Sequence, residues 1–431
     1  MSHTELSVER DELTDETREI TRDELSAEWR DWRWQLRNAA RSPRALEERG
    51  YVSARDARDL ESLTQRFKTL ITPYYLSLID RGDPRCPIRL QSIPLVEELS
   101  LTEGERGDPI GDKANAPTPM LVHRYPDRAL LFPTYECPMF CRYCFRKEAL
   151  NEAPIRLHRD LDESLRYLRA HPEIEEVILS GGDPLMVSTS RLRSILDALA
   201  EVGIKRIRVH SRAPITLPQR LDAELIEALS PQRLGTPVTL ITHANHPREL
   251  TELVKERLGS LKREGVTLLN QAVLLRGVND HVDTLRALCK RLGDLGVTPY
   301  YLHHPDLTVG TQHLRVTIDR GLELTRALRG ALSGYLIPRY VIEIPGGYGK
   351  VELDSYATRR GETRGQWWLR SPLNGVEHLY HDLAVSHQAH PKTSKAAPSE
   401  IDDLAVTHAS LAHCGSSPQD EESALRASDS L

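Results

Sequence analysis

Thr134-Tyr135-Glu136-Cys137-Pro138-Met139-Phe140-Cys141-Arg142-Tyr143-Cys144-Phe145-Arg146-Lys147 follows the apolar run at 129–132 and sets three cysteines in a C-x3-C-x2-C array. Three thiolates on one loop can hold three corners of an iron–sulfur cluster, whose irons take cysteine sulfur as ligand. The loop is one ligand short of four, and Cys86, Cys289 and Cys414 lie far away in sequence. A cluster on Cys137, Cys141 and Cys144 therefore keeps one iron open for a non-protein ligand. Two plainer readings stand beside this one. A structural zinc site wants four closed ligands, of which the loop offers three with no local histidine, and three buried free thiols with no metal are the other alternative.

Outward from this loop, short β-rich runs alternate with amphipathic helical patterns. Strands are predicted at 129–132, 176–180, 204–210, 237–243, 266–274 and 298–303, and helices near 159–170, 188–201, 221–229, 247–263, 280–293 and 317–331. Such alternation argues for βαβ units on a parallel sheet. Six units suit an α/β fold of partial (β/α)6 barrel type, with functional side chains gathered at the C-terminal ends of the strands. Cys137, the turn Ser180-Gly181-Gly182-Asp183-Pro184, His210 to Arg212, His243, Gln271 and the stretch from His303 to Asp306 all fall at such ends.

Residues 1–115 read as a helical N-terminal region, with a stripe of Leu25, Trp29, Trp32 and Leu36 and helical patterns at 54–71 and 75–80 punctuated by Pro73. The core with its cofactor sites is expected at 116–350, a small mixed segment at 351–385, and a disordered tail at 386–431, where Ser, Ala, His, Pro and acidic residues dominate. A formal charge of −6 over 431 residues gives no global basic field that would favour nucleic acid. No window reaches the roughly 18 apolar residues of a membrane span. With a polar start and reduced thiols, a cytoplasmic protein acting on a small molecule is expected.

Taken together these blocks resemble the radical S-adenosylmethionine (SAM) superfamily and, within it, the lysine 2,3-aminomutase family. The similar blocks run from Trp29-Arg30-Asp31-Trp32 through His123-Arg124-Tyr125-Pro126-Asp127-Arg128, Thr242-His243-Ala244-Asn245-His246-Pro247 and Asn270-Gln271-Ala272-Val273 to Pro345-Gly346-Gly347-Tyr348-Gly349-Lys350. The resemblance implies that Cys137, Cys141 and Cys144 bind a [4Fe–4S] cluster and that SAM chelates its open iron. Gly181, Gly182 and Asp183, with His243 and Gln271, are then expected beside SAM. It further implies pyridoxal 5′-phosphate (PLP) on Lys350, with Arg124, Tyr125 and Arg128 holding the phosphate. Taken alone, a lysine after glycines is a turn residue, and Tyr-Pro-Asp is good turn chemistry.

By the same resemblance Arg146 grips the substrate carboxylate, while Asp306 and Glu343 receive a cationic tail, Glu343 standing where the lysine enzymes carry aspartate. A longer carboxylate suits a planar guanidinium. The expected reaction therefore moves the α-amino group of a basic L-amino acid to its β-carbon, arginine being favoured slightly over lysine. The alternatives are a lysine 2,3-aminomutase acting on free lysine or supplying β-lysine for modification of a translation factor, and a non-catalytic cysteine-ligated metal protein. An electron donor such as flavodoxin or ferredoxin is implied, and a homo-oligomer is left open. His303 and His304 differ from the lysine enzymes and are candidates to line the pocket for a larger head group. With Cys414 alone after Trp368, no structural zinc is expected.

Overall fold

The computed structural model describes residues 26–151, 157–353, 358–371 and 374–383. Leu25, Cys414 and the tail expected at 386–431 lie outside the described residues. Nine strands form one sheet in chain order. They are β1 (Leu121–Tyr125), β2 (Arg128–Leu131), β3 (Glu176–Leu179), β4 (Arg206–Ser211), β5 (Val238–Thr242), β6 (Thr267–Val273), β7 (Thr298–His303), β8 (Arg339–Glu343) and β9 (Lys350–Glu352). Neighbours from β2 to β8 are parallel, and β1 and β9 add antiparallel edges.

All six predicted strands are present. The stretches at 121–125 and 350–352 were not read as strands, and the apolar run at 340–344 forms the seventh parallel strand. β9 has only three residues, and the pairing of β1 with β2 shifts register between Val122 and Tyr125, so neither edge carries a clean alternation. The result is six βα units with a closing strand, the open partial barrel that the alternation implied.

The crossover helices are α1 (Leu157–Ala170), α2 (Thr189–Val202), α3 (Ala223–Ala228), α4 (Glu252–Arg263), α5 (Val282–Asp294) and α6 (Ile318–Arg329). Their ends follow local rules. Thr251 and Thr317 accept from backbone N–H groups as N-caps of α4 and α6, and Gly203 ends α2 in the left-handed region at φ 92°. On α2, Leu192, Ile195, Leu196 and Leu199 recur at helical spacing and bury against the sheet.

The N-terminal region is helical but more broken than its periodicity suggested. Ala54–Asp59 and Glu61–Arg66 are separate helices, and Phe67 is extended. From there the chain pairs Ile71 with Ala40. Pro73 starts a helix, Pro73–Ser77, where its fixed φ and missing N–H suit the first turn. These pieces share one continuous hydrophobic core with the barrel and with Trp367, Leu369 and Tyr380, the last three belonging to an antiparallel sheet of β10 (Thr358–Arg360), β11 (Gln366–Arg370) and β12 (Glu377–His381). No helix among the described residues is long and apolar enough to cross a membrane.

Candidate active site

The cysteine loop leaves β2 and is zipped onto the end of β3 by backbone hydrogen bonds, Gly182 N to Thr134 O at 2.8 Å and Asp183 N to Glu136 O at 2.7 Å. Here the glycine pair is obligatory. A Cβ on Gly181 would sit 2.7 Å from Thr134 O, and one on Gly182 would sit 2.4 Å from Glu136 O. The close approach this turn makes is thus to the cysteine loop's own backbone. Asp183 has both oxygens taken: Oδ1 accepts from Leu185 N and Ser211 Oγ, and Oδ2 from Arg212 N and Ala213 N. Its carboxylate ties the end of β3 to the end of β4.

From below, the loop is anchored by a buried charge cluster. Arg142 Nε donates to Glu98 Oε1 at 2.8 Å, and Lys147 Nζ to Glu98 Oε2 at 2.9 Å. Burial pushes the Glu98 carboxyl up, but the Arg142 guanidinium and Lys147 ammonium outweigh it and hold it at about 2. The three thiols are half-buried. Burial, with neighbouring acids and thiolates, pushes the Cys137 thiol well up, and burial with Cys141 takes the Cys144 thiol to about 11. Thiols held up in this way are donors that a multivalent cationic centre would deprotonate on binding, as for Cys137 and Cys144.

Arg146, on the same loop, lies between the rings of Phe132 and Phe145, 4.6 and 4.4 Å from their centroids. Its Nε donates to Asp112 Oδ2 at 2.7 Å and its Nη1 to Ser180 Oγ at 3.2 Å. Asp112 was not singled out from the sequence, where an aspartate after glycine reads as a turn. Its segment packs on the glycine-rich loop, with Gly346 N donating to Pro109 O at 2.7 Å. A Cβ on Gly111 would meet Gly346 O at 2.7 Å.

Gly346, Gly347 and Gly349 all have φ near +90°, a conformation that favours glycine. They deliver Lys350 to the start of β9. Lys350 Nζ donates to Glu343 Oε2 at 2.7 Å, and Arg124 Nη1 donates to Glu343 Oε1 at 2.8 Å. Lys350 N donates to Tyr125 OH at 3.0 Å, so that the two edges of the open sheet meet through side chains. Arg128 covers the Tyr125 ring at 3.7 Å. Burial pushes the Glu343 carboxyl up, and the Lys350 and Arg124 cations overcome it to leave it at about 2. Asp306 goes the other way: burial and the nearby Glu343 charge raise it to about 7, against the pull of Lys350, Arg146 and Arg124. One space is therefore sensed by Arg146, Arg124, Lys350, Glu343 and Asp306 together.

His243 and Gln271 also meet. Gln271 Nε2 lies 2.8 Å from His243 Nε2 and 3.4 Å from His210 Nδ1, and since an amide nitrogen only donates, these ring nitrogens are acceptors on neutral imidazoles. Burial and the Arg212 and Arg146 charges take His243 down to about 3. His303, at the end of β7, is likewise held at about 3 by burial and Lys350. His303 Nε2 and His210 Nε2 are buried with no hydrogen-bond partner among the described residues. His304 turns away, bonding Tyr340 OH at 2.7 Å.

The open barrel with a cysteine loop after its first parallel strand defines a radical SAM enzyme, and residues 131–289 match the Radical SAM superfamily. The L-lysine 2,3-aminomutase of Clostridium subterminale is 39% identical over 334 residues, covering 77% of this chain and 80% of that protein. The L-lysine 2,3-aminomutase of Bacillus subtilis (strain 168) is 38% identical over 337 residues, 78% of this chain and 71% of that one. The glutamate 2,3-aminomutase of Clostridioides difficile (strain 630) is 36% identical over 328 residues, 76% and 77% of the two chains. The chain belongs to the lysine 2,3-aminomutase family. It is an isomerase of the amino acid 2,3-aminomutase type, and a [4Fe–4S] cluster and SAM come with that membership.

Proposed function

We propose that the protein is a PLP-dependent 2,3-aminomutase acting on a basic L-amino acid, with L-arginine favoured over L-lysine. The observation that carries the reading is Glu343 bridging Arg124 and Lys350 at 2.8 and 2.7 Å, with Asp306 buried within reach of their charges. When bound, the reduced cluster and SAM supply a 5′-deoxyadenosyl radical that removes the substrate's β-hydrogen, and PLP carries the amino group during its move. Cys137, Cys141 and Cys144 would ligate the cluster, with His243 and Gln271 beside SAM and the Gly181-Gly182 turn holding the loop. A low-potential flavodoxin or ferredoxin would supply the electron.

The residues fit PLP. The Lys350 side chain is about a third exposed, and Arg124 has a buried Nε without a partner among the described residues, a donor left over for an anion. Tyr125 fixes the backbone of Lys350, and Arg128 stands over Tyr125 as a second cation.

Arg146, preset by Asp112, would take the α-carboxylate as a charge-assisted fork. At the other end Glu343 is already neutralised by Arg124 and Lys350, which leaves Asp306 as the acid for a cationic tail. His303 Nε2, buried without a partner among the described residues, is a further polar atom for the tail. A guanidinium offers five donors against three for an ammonium, and that buried, unpartnered Nε2 of His303 supports the former. Lysine is the second reading, favoured by the names of the relatives. Glutamate would carry like charge toward Asp306 and Glu343.

The test is anaerobic turnover of an equimolar mixture of arginine, lysine and glutamate, with mass spectrometry of the β-amino acids. β-Arginine should form first; preferential β-lysine would overturn the arginine assignment. Protein that binds no PLP, or whose Lys350→Ala variant turns over normally, would remove the cofactor assignment.

A further inference from the structure

Arg212 enters none of the roles above, yet it is buried against the cysteine loop. Its Nη1 donates to Cys141 Sγ at 2.7 Å. Its Nη2 is fixed by three acceptors: Tyr75 OH at 3.1 Å, Gln91 Oε1 at 2.8 Å and Glu249 Oε1 at 2.8 Å. Its backbone N–H is held by Asp183, and its guanidinium lies 5.1 Å from the ring of Tyr143, between Cys141 and Cys144.

The acceptors come from different parts of the chain, two of them from the N-terminal helices. They are themselves constrained: Glu249 Oε2 accepts from Asn245 N and His246 N, and Gln91 Oε1 also accepts from Asn245 Nδ2. The guanidinium thus cannot swing away, and the edge it turns to the loop meets a sulfur.

We propose that Arg212 sets the reduction potential of the cluster by donating a charged N–H to the sulfur of Cys141. The inference rests on the assignment of Cys141 as a cluster ligand. Hydrogen bonds to ligand sulfur and net charge are among the determinants of cluster potential. One electron taken from a low-potential donor lowers the cluster charge from 2+ to 1+, leaving the donor oxidised by one electron. A fixed cation on the thiolate stabilises the electron-richer state and raises the midpoint. Arg212 would then ease the reduction that precedes every cleavage of SAM.

The experiment uses full-length protein reconstituted anaerobically, with iron and sulfide counted and the midpoint read by EPR during potentiometric titration with dithionite. Arg212→Gln should keep its iron but shift the midpoint negative by at least a tenfold change in the reduction equilibrium, about 59 mV for one electron. Arg212→Lys should lie between it and the unaltered protein. An unchanged midpoint in iron-replete Arg212→Gln overturns the proposal.

Should the variants not fold, the unaltered protein decides alone. Grown with guanidino-15N arginine and reduced, it should show a 15N coupling to the cluster in pulsed EPR, and absence of that coupling overturns the proposal. Cys141→Ser separates the two levels: a full, unaltered cluster in that variant removes the ligand assignment itself, whereas an unchanged midpoint in Arg212→Gln removes only the tuning role.

Discussion

Arg124 and Glu343 stand 219 residues apart in sequence and 2.8 Å apart in space, and the other Glu343 oxygen holds Lys350. One carboxylate thus neutralises two cations of the candidate PLP site. Glu343→Gln should destabilise the protein by about 3–5 kcal/mol, because removing one partner leaves buried charge uncompensated. Since the carboxyl is depressed to about 2 in the folded state, its contribution is present above the ordinary carboxylate value and is lost as pH falls toward 2. Urea denaturation from pH 7 down to pH 3 should show an acid-dependent loss that is smaller in the variant.

Asp306 carries the opposite sign. Its folded carboxyl is raised to about 7, so its contribution to stability is full below the ordinary aspartate value and disappears as pH rises through 7. Asp306→Asn should flatten that decline and make the ligand-free protein more stable above pH 7, by up to about 4 kcal/mol for a rise from 3.8 to about 7. A cationic tail needs the ionised form, so KM for the basic substrate should fall up to tenfold per pH unit below about 7 and level off above it. In Asp306→Asn, KM should be high and independent of pH across this range.

Gly182 and Gly203 make a controlled pair. Gly182 lies in the turn after β3 and Gly203 just before β4, but a Cβ at 182 would clash with Glu136 O, whereas at 203 nothing lies within 4 Å. Gly182→Ala should displace the cysteine loop and lower iron content after reconstitution to well under half. Gly203→Ala carries only the backbone cost of φ 92°, about 1 kcal/mol, and should keep its iron.

Asp112 presets Arg146 through a 2.7 Å ion pair. Asp112→Asn keeps the shape but removes the charge. It should raise substrate KM about tenfold, roughly 1.4 kcal/mol, with a smaller effect on kcat, since an interaction that orients the carboxylate acts in ground and transition states alike. Anaerobic steady-state kinetics separate the two parameters.

Much of the fold was legible along the chain. Alternating runs placed all six predicted strands because a strand's period of two and a helix's of 3.6 are local properties. The small mismatches fell where locality fails: Pro73 read as a break and is a helix start, the edge strand β9 is too short to carry a period, and the register of β1 shifts along its length. The site was legible as a set of residues, through the cysteine spacing, the glycine pairs and the family resemblance. Asp112 and Glu98 were not, because a lone acid in a turn has no pattern of its own, and Arg212 was placed at a strand end without its partner on the cysteine loop.

The sequence by itself determined what can be encoded in spacing: three thiols on one loop, glycines where backbone must pass close to backbone, a lysine at the end of a glycine-rich turn, and βα units enough for an open barrel. Tertiary structure alone decided which charges meet. It set Arg124 and Lys350 on Glu343, Asp112 on Arg146 and Arg212 on Cys141, and it left Asp306 to face its neighbour's charge. The physical reason is that electrostatic partnership depends on distance and burial in space. In this chain both are fixed only when the sheet curls and its two edges are joined through Tyr125 and Lys350.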